Sequence, residues 1–276
     1  MYHHEPILMR LPAESRAETV SLGWMELAGL IAVLGAAAWI YRGAFQGFFV
    51  QDDFGWLESS RFHSLREYIR IFFRFNPALG YRPLSQETYF FLGQKAFGLW
   101  PPGFHLVSLS WHLLASALVY LLLRHFFSSV PCLVGTLFFT VHGAHFSSLY
   151  WISALPEPMA LVFYLSALVL FIRFDRSKDH RAYAASIGAM VLGLMSKESI
   201  LTLPLVLAAY CALLAPRRLL WTSPHFVLTG LYALLRAISR MVNIAPYPLN
   251  FGREAWHNLI AYLSWTAGFT ETLIKA

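Results

Sequence analysis

Asp52 and Asp53 stand side by side a few residues beyond the first apolar stretch of the chain. Ionised carboxylates are costly near a bilayer, so an acidic pair at the mouth of a helical bundle marks a functional site by default. Such a pair can take the proton of an attacking hydroxyl, orient that hydroxyl, or suit a divalent cation such as magnesium or manganese. It can also serve the helix that begins near Phe54, whose N-terminus favours negative charge, and one aspartate could do so while the other reacts. Further charges interrupt the apolar sequence: Arg82, Glu157 between Pro156 and Pro158, Lys197 with Glu198, then Arg236, Arg240 and Arg253. Cations together with carboxylates are what a reaction on an anionic substrate needs, positive groups for the developing charge and a base for the nucleophile. Lys197 and Glu198 could equally mark a turn between two helices, whereas the prolines around Glu157 free backbone carbonyls in the manner of a helix start that lines a cavity. His105 and His112, seven apart, share one helix face, and His142 and His145 are three apart. Hydrogen bonding between helices competes there with metal binding, for which spacing fixes no third ligand.

The elements that must position these groups are membrane helices. Of the 276 residues, 57% are hydrophobic and only 13% charged, and the mean hydropathy is +0.52, far from the composition of a soluble domain. The net charge of +6 does not indicate nucleic acid, because the basic residues lie between apolar spans, where orientation and headgroup contact account for them. Cys132 and Cys211 fall inside apolar spans, so neither a disulfide framework nor a cysteine metal site is indicated.

A bilayer core takes about 20 apolar residues per helix. Spans are expected near 23–41, 103–123, 128–147, 150–172, 182–196, 199–215 and 219–238, with an eighth starting near 254. The polar lead before the first span makes it a signal-anchor rather than a cleaved leader. The fold expected is an all-α polytopic transmembrane bundle, a single module over 1–276, with the chain stopping inside the eighth span as a truncated member would. Arg10, Arg16, Arg124, Arg173, Arg176, Lys178, Arg181, Arg217 and Arg218 fall on one side of these spans, which puts the N-terminus inside. Asp52, Asp53, His142, His145, Glu157, Lys197, Glu198, Arg236, Arg240 and Arg253 then share the exoplasmic side. The long first loop, 42–101, contains RFHSLREYIRIFFRF, with Arg66, Arg70 and Arg74 every four residues and Phe62, Leu65, Ile69, Phe72 and Phe73 opposite. This predicts an interfacial helix, either anchoring the loop on the membrane or gathering lipid phosphate. Breaks at Asn76-Pro77 and Pro101-Pro102-Gly103 bracket a second helical stretch.

Asp52-Asp53, the stretch YRPLSQETYFFLGQKAFGLWPPGFHLVSLSWHLLASALVYLLL at 81–123, YWISALPEPMALVFYLSALVLFIRF at 150–174 and LMSKESILTLPLVLAAY at 194–210 occur in order. As a set they resemble the membrane glycosyltransferases of the GT-C fold, nearest to the transmembrane and tetratricopeptide-repeat O-mannosyltransferases and their bacterial relatives, although no such repeats are present here. The resemblance implies a sugar donor carried on polyprenyl or dolichyl phosphate, a protein or glycan acceptor, and a site in the bilayer facing the exoplasm. It implies that Asp52 or Asp53 acts on the acceptor and that Tyr81 to Leu84, His105 to His112 and Ser196 to Glu198 frame the site. On this footing Arg82 and Lys197 hold the phosphate, with Arg236 or Arg240, while Asp53 with Asp52 activates the acceptor and the anomeric centre inverts. Two departures stand out: Ser108 replaces an asparagine of relatives, bearing on substrate contacts, and Leu155-Pro156-Glu157 replaces a Gly-Arg-x-Asp-like run, bearing on whether Glu157 inherits that aspartate's part. Transport along the same charges, or a non-catalytic subunit with this fold, are the other two classes the residues allow.

Overall fold

The computed structural model describes residues 22–74, 81–242 and 252–266, and among these all regular structure is helical. In chain order the α-helices are α1 Trp24–Ile40, α2 Asp52–Ser59, α3 Leu65–Arg70, α4 Tyr89–Phe97, α5 Pro101–Leu123, α6 Ser129–Val141, α7 Phe146–Tyr150, α8 Pro156–Ser177, α9 His180–Leu194, α10 Leu203–Leu214, α11 Ser223–Val242 and α12 Arg253–Thr266. Among the described residues, three continuous helical stretches are long and apolar enough to cross a membrane: Trp24–Gln46, in which a 3-10 turn prolongs α1, Pro101–Leu123, and Ile152–Ser177. A fourth forms if α6 is joined to the 143–150 segment across a bend of 43°. The expected spans 182–196 and 199–215 correspond to α9, 15 residues long, and to the apolar helical run Glu198–Leu214. Lys197 and Glu198 part the two, and each stays shorter than a full crossing. Arg10, Arg16, Asn76-Pro77 and the end of the expected eighth span lie outside the described residues.

Helix α8 is the hub, packed along both α5 and α9. It starts on Pro156, whose missing N–H is one no helix start needs, and ends where Lys178 takes a left-handed conformation, φ 57°, and closes on the Phe174 carbonyl. Asp179 then caps α9 by accepting from the Arg181 N–H, so α8 and α9 form a tight antiparallel hairpin. Phe171, Ile172, Met190, Ile200, Leu203 and Leu207 fill the core between α8, α9 and α10. Trp24, Ile31, Val134 and Phe138 face outward, as lipid contact requires.

Polar clasps close one end of the bundle. Arg124 pairs with Glu26 at 3.2 Å, Arg176 donates to the His125 carbonyl at 2.7 Å, and Asp175 accepts from Tyr210 at 2.8 Å and pairs with Arg218 at 3.5 Å. The Arg218 guanidinium also lies over the Phe174 ring, 4.5 Å from its centre. The opposite end carries the first loop.

Within that loop the predicted amphipathic helix is shorter than its pattern: α3 spans six residues and passes into a 3-10 turn at Ile71–Phe73. The tighter turn rotates Ile71 inward, while Leu65, Ile69 and Phe73 stay exposed beside exposed Arg66, Arg70 and Arg74. Phe62 leaves the expected stripe to pack on Tyr68 and Phe91. Ser64 and Glu67 cap the helix reciprocally, the serine Oγ accepting from the Glu67 N–H and the Glu67 carboxylate from the His63 N–H.

Helices α4 and α5 approach at Gly93, where a Cβ would lie 2.4 Å from the fully buried ring of Phe104. That ring has nowhere to go. Gly93→Ala is expected to cost about 1–3 kcal/mol through overpacking, read as a lower thermal unfolding temperature of the purified protein in detergent.

Candidate active site at the loop end of the bundle

Helix α2 begins straight after Gln51, whose backbone sits at φ 47°, ψ −115°, a conformation side-chain-bearing residues rarely adopt. Both aspartates lie in its first turn, facing the positive end of the helix. Beyond that they part. Asp53 is fully buried, and its Oδ2 accepts from the Val50 N–H at 2.8 Å. Its Oδ1 accepts from the Ser153 N–H at 2.8 Å and from the Ser153 hydroxyl. Ser153 belongs to the 3-10 turn Ile152–Ala154 that leads into α8. Asp52 is exposed.

Beneath the loop lies His105, buried, with Nδ1–H donated to the Leu149 carbonyl at 3.0 Å. That bond fixes the tautomer, leaving Nε2 an acceptor without a hydrogen-bond partner among the described residues. Gly47 is required there, since a Cβ would fall 2.8 Å from that nitrogen. One helical face does carry both histidines of α5, but each is spent separately. His112 bonds the Thr140 carbonyl at 2.9 Å and packs on His145, ring centres 4.6 Å apart, with the edge of Tyr41 at 5.6 Å. Among the described residues no three His, Cys, Asp or Glu side chains converge in a way that could hold a metal ion. The aspartates do not fit the divalent cation their adjacency suggests, because Asp53 turns both oxygens toward N–H and O–H donors and away from Asp52's open side. Ser108 is buried and bonds within its own helix to the Phe104 carbonyl, which also accepts from Tyr89.

The cations gather around the turn between α9 and α10. Arg82 grips Glu198 with two bonds, 2.9 and 3.3 Å, and Lys197 pairs with Glu157 in the first turn of α8. The cations are the deeper members: Arg82 and Lys197 side chains are 23% and 22% exposed, against 41% for Glu198 and 48% for Glu157. Burial and the neighbouring guanidinium push the Lys197 ammonium down to about 8, with Glu198 pulling the other way. Arg236 reaches the same region from α11, where the buried Tyr232 lies within the electrostatic influence of Arg236, Arg82 and Glu198. The side chain of Arg240 lies outside the described residues.

Two pairs of backbone neighbours hold this set together. The Leu84 N–H donates to the Met195 carbonyl at 3.1 Å, and the buried Ser85 hydroxyl to the Ser196 carbonyl at 2.5 Å. They sit at the start of a π-helical turn, Pro83–Thr88, that runs into α4. Residues 153 to 157 therefore link the carboxylate pair to the cation set, Ser153 touching Asp53 and Glu157 touching Lys197. Sequence reasoning missed Ser153, Ser85, Gly47 and Tyr232; lone serines and a lone tyrosine carry no local signal, and only the Gly47 position, beside a break after an apolar span, hinted at a close approach.

Compared with families of known proteins, residues 97–242 match the dolichyl-phosphate-mannose-protein mannosyltransferase model. That segment includes His105, His112, Glu157, Lys197, Glu198, Arg236 and Arg240, and leaves Asp52, Asp53 and Arg82 outside it. No curated protein matches, and no solved structure matches.

Proposed function

Because the chain belongs to the dolichyl-phosphate-mannose-protein mannosyltransferase family, we propose that it moves a sugar, mannose first among the choices, from a polyprenyl or dolichyl phosphate to a hydroxyl on a protein or glycan. The family is one of glycosyltransferases, and the apolar helices make the chain an integral membrane protein. Within the family we keep the likeness to the transmembrane and tetratricopeptide-repeat branch and its bacterial relatives. The active end faces the exoplasm, of a bacterial inner membrane or the endoplasmic reticulum, because Arg124, Arg173, Arg176, Arg217 and Arg218 lie at the other end.

One observation carries this reading: an exposed carboxylate, Asp52, rides on a buried and fully engaged one, Asp53, at the same end as two part-buried cations. The acceptor oxygen attacks the anomeric carbon from the face opposite the phosphate. The bond from that carbon to the phosphate oxygen breaks and its electron pair stays on the phosphate, while Asp52 takes the hydroxyl proton, so the centre inverts. Arg82 and Lys197, with Arg236, stabilise the negative charge of the departing polyprenyl phosphate. His105 and His112 hold the helices beneath the site through the Leu149 and Thr140 carbonyls.

The test is purified protein in liposomes supplied with polyprenyl-phosphate mannose. Release of free polyprenyl phosphate coupled to mannosylation of an acceptor supports the reading; no turnover of any lipid-phosphate sugar across a broad acceptor panel sinks it. The pH dependence has a defined sign. Lys197 is charged below its shifted value and loses that charge as pH rises through about 8, so KM for the donor is expected to climb on the alkaline side. In Lys197→Arg that climb disappears, since a guanidinium stays protonated throughout.

A further inference from the structure

We infer that the first loop is pinned to the bundle at two separable points, with Ser153 positioning the acceptor-activating carboxylate and Ser85 positioning the phosphate-holding cations. The inference rests on the proposed transferase reading for its kinetic consequence, but its geometry is independent of it. Ser153 is buried and gives both its N–H and its hydroxyl to one oxygen of Asp53, a residue 100 positions earlier in the chain. The other oxygen is held by the Val50 N–H, so the carboxylate is gripped from two sides. Asp52 precedes it in the same helical turn and inherits that orientation. The preceding Gln51 backbone is strained, and a strained link persists only where its flanks are fixed. Ser153 supplies the fixing on one flank.

Ser85 does the corresponding service for the cations. Its hydroxyl reaches the Ser196 carbonyl, 111 positions away, next to the Leu84–Met195 bond. The joined segments are 84–85, two residues past Arg82, and 195–196, just before Lys197 and Glu198. The crimp is what brings the Arg82 guanidinium within reach of Glu198. π-Helical turns of this kind are rare and recur at functional sites. In both places a backbone N–H bond remains when the hydroxyl is removed, so alanine substitution loosens each joint without dismantling it.

The two joints therefore carry different kinetic signatures. In full-length protein in liposomes with polyprenyl-phosphate mannose, Ser153→Ala is expected to lower kcat by about 10- to 100-fold, the scale of an ångström-size misplacement, with donor KM unchanged. Ser85→Ala is expected to raise donor KM by about 10-fold with a smaller loss of kcat, because the same cations hold the phosphate both before and during its departure. Ser153→Thr and Ser85→Thr, which keep the hydroxyls, are expected to restore most of each loss. A second readout needs no turnover: a spin label on Asp52→Cys, specific because Cys132 and Cys211 are buried, gains mobility with Ser153→Ala and not with Ser85→Ala. If both alanine variants lowered kcat and raised KM alike, or the label stayed immobile in Ser153→Ala, the two-joint assignment would be overturned. If the label responded as expected while no lipid-phosphate sugar was consumed by the parent protein, the transferase reading would fall and the positioning would stand.

Discussion

Asp52→Asn is expected to cut sugar transfer by about two to four orders of magnitude, the worth of a positioned base, while the protein keeps its thermal unfolding temperature. The amide is isosteric, and Asp52 is exposed, so nothing in the fold is disturbed. Asp53→Asn is expected to act differently. Its carboxylate accepts on both oxygens, and an asparagine can present an acceptor on only one. With its oxygen toward Ser153, the new NH2 faces the Val50 N–H, leaving a buried donor unmet at about 1–3 kcal/mol. Asp53→Asn thus lowers unfolding temperature and turnover together. Paired melting and turnover measurements on the two variants decide the roles: turnover lost in Asp53→Asn at unchanged stability, with Asp52→Asn active, would reverse them.

Arg82→Ala is expected to lower kcat/KM for the lipid-linked donor by about 100- to 1,000-fold, comparable with loss of a preorganised donor at a developing charge. Two effects act in the same direction. The fork that would hold the phosphate is gone, and Glu198, which it gripped with two bonds, is left as a repelling carboxylate. The double variant Arg82→Ala/Glu198→Ala separates them. It is expected to regain part of the donor affinity by removing the repulsion, yet remain well below the parent, because residues in contact do not contribute additively. Equal kcat/KM in parent and Arg82→Ala would remove Arg82 from the site.

The helices were legible where apolar runs begin on prolines: α5 starts on Pro101, two residues before an expected span, and α8 on Pro156, inside one. Pattern failed where the helix type changed. The four-residue spacing of Arg66, Arg70 and Arg74 presumes a continuous α-helix, and the 3-10 turn at Ile71 broke the register. The acidic pair and the Lys197–Glu198 break stood out because charges in apolar surroundings are conspicuous in one dimension. Their division of labour did not, because it depends on partners such as Ser153, 100 residues away, and on carbonyls such as Leu149 and Thr140 that every residue possesses. The Ser64-x-x-Glu67 cap is purely local, yet it was passed over beside the more conspicuous arginine stripe.

At the loop end each deep cation already wears an anion, Lys197 that of Glu157 and Arg82 that of Glu198, both tethered to the same chain and both on the outward side. Any incoming phosphate must compete with carboxylates whose effective concentration is that of an intramolecular partner, in the millimolar range or above. Inorganic phosphate and nucleotides arriving from water meet this handicap in three dimensions. A phosphate on a polyprenyl tail is confined to the membrane plane in which the helices stand, and that confinement raises its own local concentration to match. On the proposed transferase reading the internal ion pairs would work as a dilution filter, favouring anions that live in the bilayer over those that merely pass it.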